Sequence, residues 1–351
     1  MERQPPSSWK DFSMPKSKKR QKLGCLLAIP LLIGILAVGA WLWFKSELAP
    51  MPKGPSYLTR YPRQESFDKV LLDLQAKGVV RDVVALKLYA RWKHASEPVP
   101  EGTYRFQPGM TVDAVLKALR SKIVQMVRIP ETNFSYRTAN LLAQKQVVDD
   151  AEEYKSLIND PAQFGTDVSF PLPKSSLEGY LFPDTYDLPP LLGAHDTIVR
   201  QLRAFESKIY PLLKGASDPN KILTIASMVE MEAAKDKDRP LIAGVIANRL
   251  NKGMPLQIDA TVLYALQEWR RLTFADYRNT ISPYNTYLHP GLPPGPICSP
   301  SVKSVEAALH PAKHDFFYYV AMPTGFHVFA HSYEEHLANI AKRRAAMAKK
   351  P

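Results

Sequence analysis

The chain has 351 residues, enough for two folded domains, and a formal net charge of +12. Residues 1–22 contribute +5 and the last ten residues contribute another +5, so the rest of the chain is close to balanced. This distribution argues against a nucleic-acid-binding core, in which basic charge lies on a folded face. Basic ends instead predict contact with a membrane surface or an acidic polymer, or solvated tails.

A single apolar run, residues 23–44, follows the basic N-terminus and contains no charged residue. As a helix its 22 residues reach about 33 Å, enough to cross the hydrocarbon core of a bilayer. The basic residues of segment 16–22 place the N-terminus in the cytoplasm, and Trp41 and Trp43 suit the far interface. We therefore expect a single-pass inner-membrane protein with a cytoplasmic tail (1–22) and a periplasmic remainder. A signal peptide cleaved after Val38-Gly39-Ala40 is the alternative.

The chain has two cysteines, Cys25 inside the apolar run and Cys298 in a loop rich in proline and glycine. Their positions exclude a disulfide between them. Cys298 has no cluster of cations beside it in sequence, so we interpret it as a buried or inert thiol.

After a linker predicted at 45–63, residues 64–127 have the pattern of a small α+β module. Ser66, Asp82 and Thr111 each stand where a helix N-cap is expected, and Gly78 is expected to end the first helix. Residues 102–106 have strand character. The overall fold class is therefore α+β.

Two carboxylates lie two residues apart in ILTIASMVEMEAA, residues 222–234, which we expect to be helical. At 3.6 residues per turn, Glu230 and Glu232 point to nearly opposite sides. The small helical neighbours of Glu230 favour a cleft-facing carboxyl with a pKa raised by desolvation. Glu232 is expected to pair with Lys235 in solvent. The alternative is that both are surface glutamates.

Five motifs appear in one order: SLEGYLFPDTY (176–186), TIASMVEMEA (224–233), LQIDATVLYAL (256–266), SPYNTYLHPGLPPGPI (282–297) and ALHPAKHDFFYYV (308–320). Together they resemble the YceG-like endolytic murein transglycosylases. The resemblance implies a LysM-like module (64–127), a larger mixed α+β catalytic domain (128–340) and a basic tail (341–351). It implies that Glu230 is the catalytic acid and that the substrate is a peptidoglycan glycan strand. Peptidoglycan synthases are candidate partners, and neither cofactor nor metal is expected.

The implied reaction is non-hydrolytic. Glu230 protonates the oxygen between N-acetylmuramic acid and N-acetylglucosamine. Its carboxylate then accepts the proton of the muramic 6-hydroxyl, which closes a 1,6-anhydro ring, and we expect this to terminate strand elongation. Two alternatives remain: a hydrolytic muramidase with Asp259 as a second carboxylate, and a non-catalytic glycan-binding scaffold for cell-wall synthases.

Six side chains are candidates for substrate binding. The loop 282–300 contains six prolines, so it is rigid without regular structure, and Tyr284, Asn285 and Tyr287 on it offer aromatic faces and an amide. Each has an alternative role in packing or loop structure. Asp259 is either a helix N-cap or a catalytic group, and Gln257 either binds sugar or is an exposed strand residue. Glu178 lies in an apolar stretch, where a buried carboxylate needs a partner.

The C-terminal histidines do not form a closed tetrahedral ligand set in the sequence. His327 lies in FHVF, which alternates like a strand, and His331 precedes a helix that Ser332 is expected to cap with Glu335. We therefore predict no metal site.

Overall fold

The structure, a computed structural model, describes residues 19–348, and the side chains from residue 29 onward. Its first element is helix α1 (Lys19–Glu47), which contains Pro30. The segment Ile29–Glu47 is long and apolar enough to cross a membrane, and none of it is buried inside the protein. The predicted N-terminal apolar helix is therefore present. Most of the predicted cytoplasmic tail lies outside the described residues.

The chain folds into two compact units. The first comprises α1, the segment 63–100 and the segment 105–121, and it contains three short helices. These are α2 (Phe67–Ala76), α3 (Val83–Trp92) and α4 (Val112–Ala118). Their caps are the predicted ones: Ser66, Asp82 and Thr111 each accept a hydrogen bond from the backbone N–H three residues later.

Two strands flank helices α2 and α3 in sequence. They are β1 (Tyr57–Tyr61) and β2 (Gly102–Phe106), which pair in a two-stranded sheet. The strand at Gly102–Phe106 was predicted, but β1 occupies part of the segment 45–63, which was expected to be a linker only. The flanking Gly54, Pro55 and Pro62 are typical of a linker, so the sequence did not indicate so short a strand. Resemblance of this β-α-α-β segment to a LysM module stays a prediction.

The second unit comprises the segments 58–62 and 101–104 and the chain from residue 122 onward, which first forms a helical subdomain around a large aromatic core. Its elements are β3 (Met126–Arg128), α5 (Ser135–Gln144), α6 (Ala151–Ile158), β4 (Thr185–Asp187), α7 (Ala194–Lys208) and α8 (Tyr210–Leu213). β3 pairs antiparallel with β4, with Val127 opposite Tyr186. The core includes Tyr154, Phe164 and Phe205, each almost fully buried.

The rest of the second unit packs around one central helix, α9 (Pro219–Glu232). It contacts α10 (Arg239–Asn251), α11 (Asp259–Leu266) and α13 (Val302–Leu309). The other elements are α12 (Phe274–Asn279), β5 (Tyr318–Ala321), β6 (His327–Ala330) and α14 (Tyr333–Ala348). β5 and β6 form an antiparallel hairpin with Val320 opposite Val328, as the alternation in FHVF suggests.

Helix α14 begins after Ser332, whose hydroxyl accepts a hydrogen bond from the Glu335 backbone N–H. The Glu335 carboxylate bonds the N–H of His331 rather than that of Ser332, a variation on the predicted capping box. The helix continues to Ala348, so residues 341–348 of the predicted tail are helical. The remaining three residues lie outside the described part.

Candidate active site

Glu232, the last residue of α9, lines a cleft of about 360 Å³. The cleft lies between the ends of α9 and α10, the start of α11, the loop 282–300, the β5–β6 hairpin and α14. Its polar lining includes Arg249, Gln257, Asp259, Tyr287, Tyr319 and His327. The Glu232 carboxyl, at a helix end, therefore shares the cleft with groups from five other parts of the chain.

The environment of Glu232 favours its protonated form. Burial raises the pKa of this carboxyl to about 7, and the negative charge of Asp259 acts in the same direction. A hydrogen bond with the Tyr319 hydroxyl and the charge of Arg249 oppose the shift, but they are smaller. Near neutral pH a substantial fraction of Glu232 carries a proton that it can give to a ligand in the cleft.

Glu230 faces the protein interior. Only 4% of its surface is exposed, and its Oε1 lies 3.1 Å from the Arg239 guanidinium. Its Oε2 accepts hydrogen bonds from the Ser301 backbone N–H at 2.9 Å and from the Ser301 hydroxyl at 2.5 Å. The carboxylate is thus paired and enclosed, as a structural ion pair is.

The predicted orientation of the two glutamates is therefore wrong, although the prediction of opposite sides holds. Glu232, not Glu230, lines the cleft. The expected pair of Glu232 with Lys235 is also not formed, because α9 ends at Glu232 and the Lys235 ammonium lies over the Phe326 ring at 5.8 Å.

Asp259 is not a helix cap, contrary to one of its two predicted roles. It is the first residue of α11, after Ile258 at the N-cap position. Its carboxylate accepts a 2.5 Å hydrogen bond from the Tyr287 hydroxyl and a longer one, 3.4 Å, from Tyr277. The two tyrosine rings pack with centroids 4.5 Å apart, so this cluster fixes the carboxylate at the cleft wall.

The structure separates the three candidates on the loop 282–300. Tyr287 lines the cleft, as predicted. Asn285 is fully buried: its amide donates to the carbonyls of Tyr277 and Thr280, and its Oδ1 accepts from the Tyr287 N–H. Tyr284 packs against Tyr264 at 4.8 Å and is not among the cleft-lining residues. Asn285 and Tyr284 therefore shape the loop, which was the alternative role for each.

Gln257 also lines the cleft, in an unusual backbone conformation. Its φ of +53° lies in the left-handed region, which residues other than glycine seldom adopt. Its N–H donates to the Thr286 carbonyl at 3.2 Å, which ties this residue to the loop that carries Tyr287. Such strain is often retained where a side chain must be presented to a ligand.

Glu178 lies outside the cleft lining and is 3% exposed. Its carboxylate accepts a hydrogen bond from the Ser135 backbone N–H at 3.2 Å, and Ser135 and Tyr264 also bond it through their side chains. Burial nevertheless raises the pKa of Glu178 to about 7. Its position fits structural support of the site better than contact with substrate.

The cleft residues that were not predicted include Arg249, Tyr319 and His327. Arg249 donates to the carbonyl of Phe317 at 2.7 Å and to that of Leu256 at 2.6 Å, so it joins the hairpin to the segment that carries Gln257. Tyr319 and His327 lie on the two strands of that hairpin. The cluster of aromatic residues and histidines around FFYYV and FHVF is the sequence feature that could have indicated these cleft residues.

Cys298 is fully buried, as predicted, and its Sγ lies 3.5 Å from the Ser227 carbonyl.

A cleft built around one partly protonated carboxyl and lined by tyrosines, amides and a histidine suits proton transfer to a polar ligand. The sequence model of the YceG-like family matches residues 60–342. The chain therefore belongs to the YceG-like family.

Relatives of known name and structure support this membership. The chain is 33% identical over 328 residues to the endolytic murein transglycosylase of Bacillus subtilis, covering 87% of this chain and 90% of that protein. It is 31% identical to the enzyme of the same name from Streptococcus pneumoniae D39, covering 80% of this chain and 57% of that one. A crystal structure of a YceG-like protein from Listeria monocytogenes matches with a TM-score of 0.51 at 32% identity, over 81% of this chain and 99% of the other.

Proposed function

We propose that this chain is a membrane-anchored endolytic murein transglycosylase, with Glu232 rather than Glu230 as its general acid. The observation that carries the proposal is the position of Glu232 in the cleft, with a pKa raised to about 7. A general acid works best when its pKa is near the working pH, because it then holds a proton and also releases it readily. Glu230, enclosed and paired with Arg239, has no access to a ligand in the cleft.

In this mechanism Glu232 protonates the oxygen between N-acetylmuramic acid and N-acetylglucosamine. The bond to the muramic C1 breaks, and the positive charge that develops there is stabilised by the nearby Asp259 carboxylate. The muramic 6-hydroxyl loses its proton to a base in the cleft as its oxygen closes on C1, which forms the 1,6-anhydro ring. The nucleophile belongs to the substrate, so no water is consumed.

The roles of the other groups follow from their positions. Tyr287 and Tyr277 hold Asp259 in place through their hydroxyls. Gln257 and Tyr287 offer an amide and an aromatic face to the sugars, and Arg249 fixes the two sides of the cleft relative to each other. Glu178, Tyr284 and Asn285 act behind this surface as structural supports.

The membrane helix complements this assignment. With α1 as an uncleaved anchor and its basic end in the cytoplasm, residues beyond Glu47 lie outside the cytoplasmic membrane, where glycan strands are made. An anchored enzyme that cuts within a strand meets nascent glycan as it leaves the membrane. We therefore propose that cleavage ends strand elongation, close to peptidoglycan synthases.

One observation supports a second candidate function, a hydrolytic muramidase. Asp259 lines the same cleft as Glu232 and influences its pKa, as the paired carboxylates of glycoside hydrolases do. A hydrolytic muramidase would use Asp259 as a base that activates water.

Digestion of intact sacculi in water enriched in ¹⁸O, followed by mass spectrometry of the products, separates these functions. The transglycosylase gives muramic ends about 18 mass units lighter than the hydrolytic product and free of label, because no water is added. Labelled muramic ends would replace this proposal with the hydrolase. Absence of any cleavage by the purified full-length protein would favour a scaffold.

A further inference from the structure

A histidine–aspartate pair lies beside Glu232 and has no role in the mechanism above. His327 Nδ1 lies 2.8 Å from Oδ2 of Asp238, and the same oxygen accepts the His327 backbone N–H at 2.7 Å. The side chains are 2% and 6% exposed, respectively. The Asp238 carboxylate therefore accepts hydrogen bonds from both the backbone and the ring of His327.

This geometry sets the position of the proton on the ring. A carboxylate only accepts hydrogen bonds, so Nδ1 must carry the hydrogen that Asp238 receives. In a neutral imidazole the other nitrogen, Nε2, then has a free lone pair. Within residues 19–348, Nε2 has no hydrogen-bond partner.

The carboxylate does not depend on a charged imidazole for its stability. Asp238 stands at the N-cap position of α10, a helix of 13 residues. The partial positive charge at a helix N-terminus stabilises an anion there. The helix N-terminus and the two N–H groups of His327 therefore stabilise the Asp238 carboxylate together.

The pair shares the cleft with the proposed acid. His327 and Glu232 both line it, and Tyr319 interacts with each of them. The Tyr319 hydroxyl helps to stabilise the Glu232 carboxylate, and its ring contacts the His327 ring edge-on at a centroid distance of 5.5 Å. The other ionisable groups that line the cleft are Asp259, Arg249, His336, Arg343 and the four tyrosines Tyr287, Tyr318, Tyr319 and Tyr333. A ligand that reaches Glu232 therefore lies in the same cleft as His327.

We infer that His327, oriented by Asp238, is the base that removes the proton of the substrate's attacking hydroxyl. The inference rests on the proposed function. In the step, the muramic O6–H bond breaks and its proton goes to Nε2, while O6 forms its bond to C1. The C1–oxygen bond to N-acetylglucosamine breaks, and that oxygen takes the proton of Glu232.

A separate base gives a chemical advantage. A single carboxyl holding its proton for the leaving oxygen has no capacity to accept another until that proton has left. With His327 as the acceptor, both proton transfers proceed in the same step. The products leave Glu232 ionised and His327 as imidazolium, and transfer of one proton from the imidazolium to the carboxylate through water restores the enzyme.

The test compares three variants of the full-length protein on purified glycan strands. His327→Asn retains an N–H that can donate to Asp238 in place of Nδ1, but it lacks Nε2. Asp238→Asn keeps the ring but can donate to Nδ1, which moves the ring proton to Nε2. His331→Asn is the matched control, because His331 forms a 2.9 Å pair with Asp315 on the exposed surface, away from the cleft lining.

We expect His327→Asn to lower kcat by at least about 100-fold, the usual range for a lost general base, with KM changed by less than about threefold. We also expect unlabelled anhydro ends to fall, and ¹⁸O-labelled hydrolytic ends to rise, as fractions of the remaining product. His331→Asn should behave like the wild type. A purely structural role would lower the amount of folded enzyme without changing the ratio of the two products.

A folded His327→Asn variant that forms anhydro ends at the wild-type kcat would overturn the inference. If that variant does not fold, Asp238→Asn decides the question: an unchanged kcat and product ratio contradict the base role, and a matching loss supports it. Wild-type enzyme that yields only labelled ends refutes the proposed function itself, an outcome distinct from either of these.

Discussion

The Glu230 carboxylate and the Arg239 guanidinium, 3.1 Å apart, form a buried ion pair that joins the end of α9 to the start of α10. Ser301, at the N-cap of α13, donates two further hydrogen bonds to the same carboxylate. Three helices therefore meet at Glu230. These contacts of Glu230 fix the rotation of α9 about its axis. They therefore also set the direction in which Glu232, on the opposite side of α9, points.

Replacement of Glu230 by glutamine is expected to destabilise the protein. Loss of one partner from a buried ion pair typically costs about 3–5 kcal/mol; here the lower end applies, because Arg239 keeps its contact with Asp236 at 3.2 Å. Thermal unfolding of the detergent-solubilised protein measures the effect. An unchanged melting temperature together with lost activity would instead indicate a direct catalytic role for Glu230.

The pH dependence of activity should reflect the raised pKa of Glu232. Because the acid must be protonated, kcat is expected to fall as the pH rises through about 7. In Asp259→Asn the neighbouring negative charge is removed, the pKa of Glu232 falls, and the alkaline limb of the pH–rate profile should move to lower pH. A limb that stays in place in this variant would show that Asp259 does not act on the titrating group.

Glu178 should make the unfolding free energy depend on pH. Its pKa is raised from 4.5 to about 7 in the folded state, so the folded protein binds more protons than the unfolded chain between these values. Its stabilising contribution is present in full below pH 4.5 and is lost as the pH rises through about 7. Glu178→Gln should flatten this decline in urea titrations between about pH 5 and 8. An equally steep decline in the variant would show that other groups cause the pH dependence of the unfolding free energy.

The topology predicts the location of the C-terminus. A reporter enzyme that is active only outside the cytoplasm should work when fused after residue 351, and the purified protein should retain its N-terminal basic segment. A mature N-terminus at Trp41 would instead identify α1 as a cleaved signal peptide.

Local features of the fold were predictable because neighbouring residues determine them. Ser66, Asp82 and Thr111 cap helices through bonds to residues three positions later, and such pairs are visible in the sequence. The strand β1 was not predictable, since its pairing partner β2 starts 45 residues after it and its own sequence lacks a strong strand pattern.

The orientation of the site was not predictable for the same reason. Helical periodicity showed that Glu230 and Glu232 point apart, but the partners that decide which one is enclosed, Arg239 and Ser301, lie 9 and 71 residues away from Glu230. Asp259 likewise has the sequence position of a cap, whereas its actual partner, Tyr287, is 28 residues later in the chain.

The most direct test of the account is the activity of Glu232→Gln beside that of Glu230→Gln, with both proteins assayed on glycan strands below their unfolding temperatures. Glutamine keeps the shape of each side chain and removes its acidic proton. We expect Glu232→Gln to lower kcat by at least about 100-fold without loss of stability, and Glu230→Gln to retain activity in proportion to its folded fraction. A folded Glu230→Gln variant without activity, beside an active Glu232→Gln, would contradict the assignment of Glu232 as the acid.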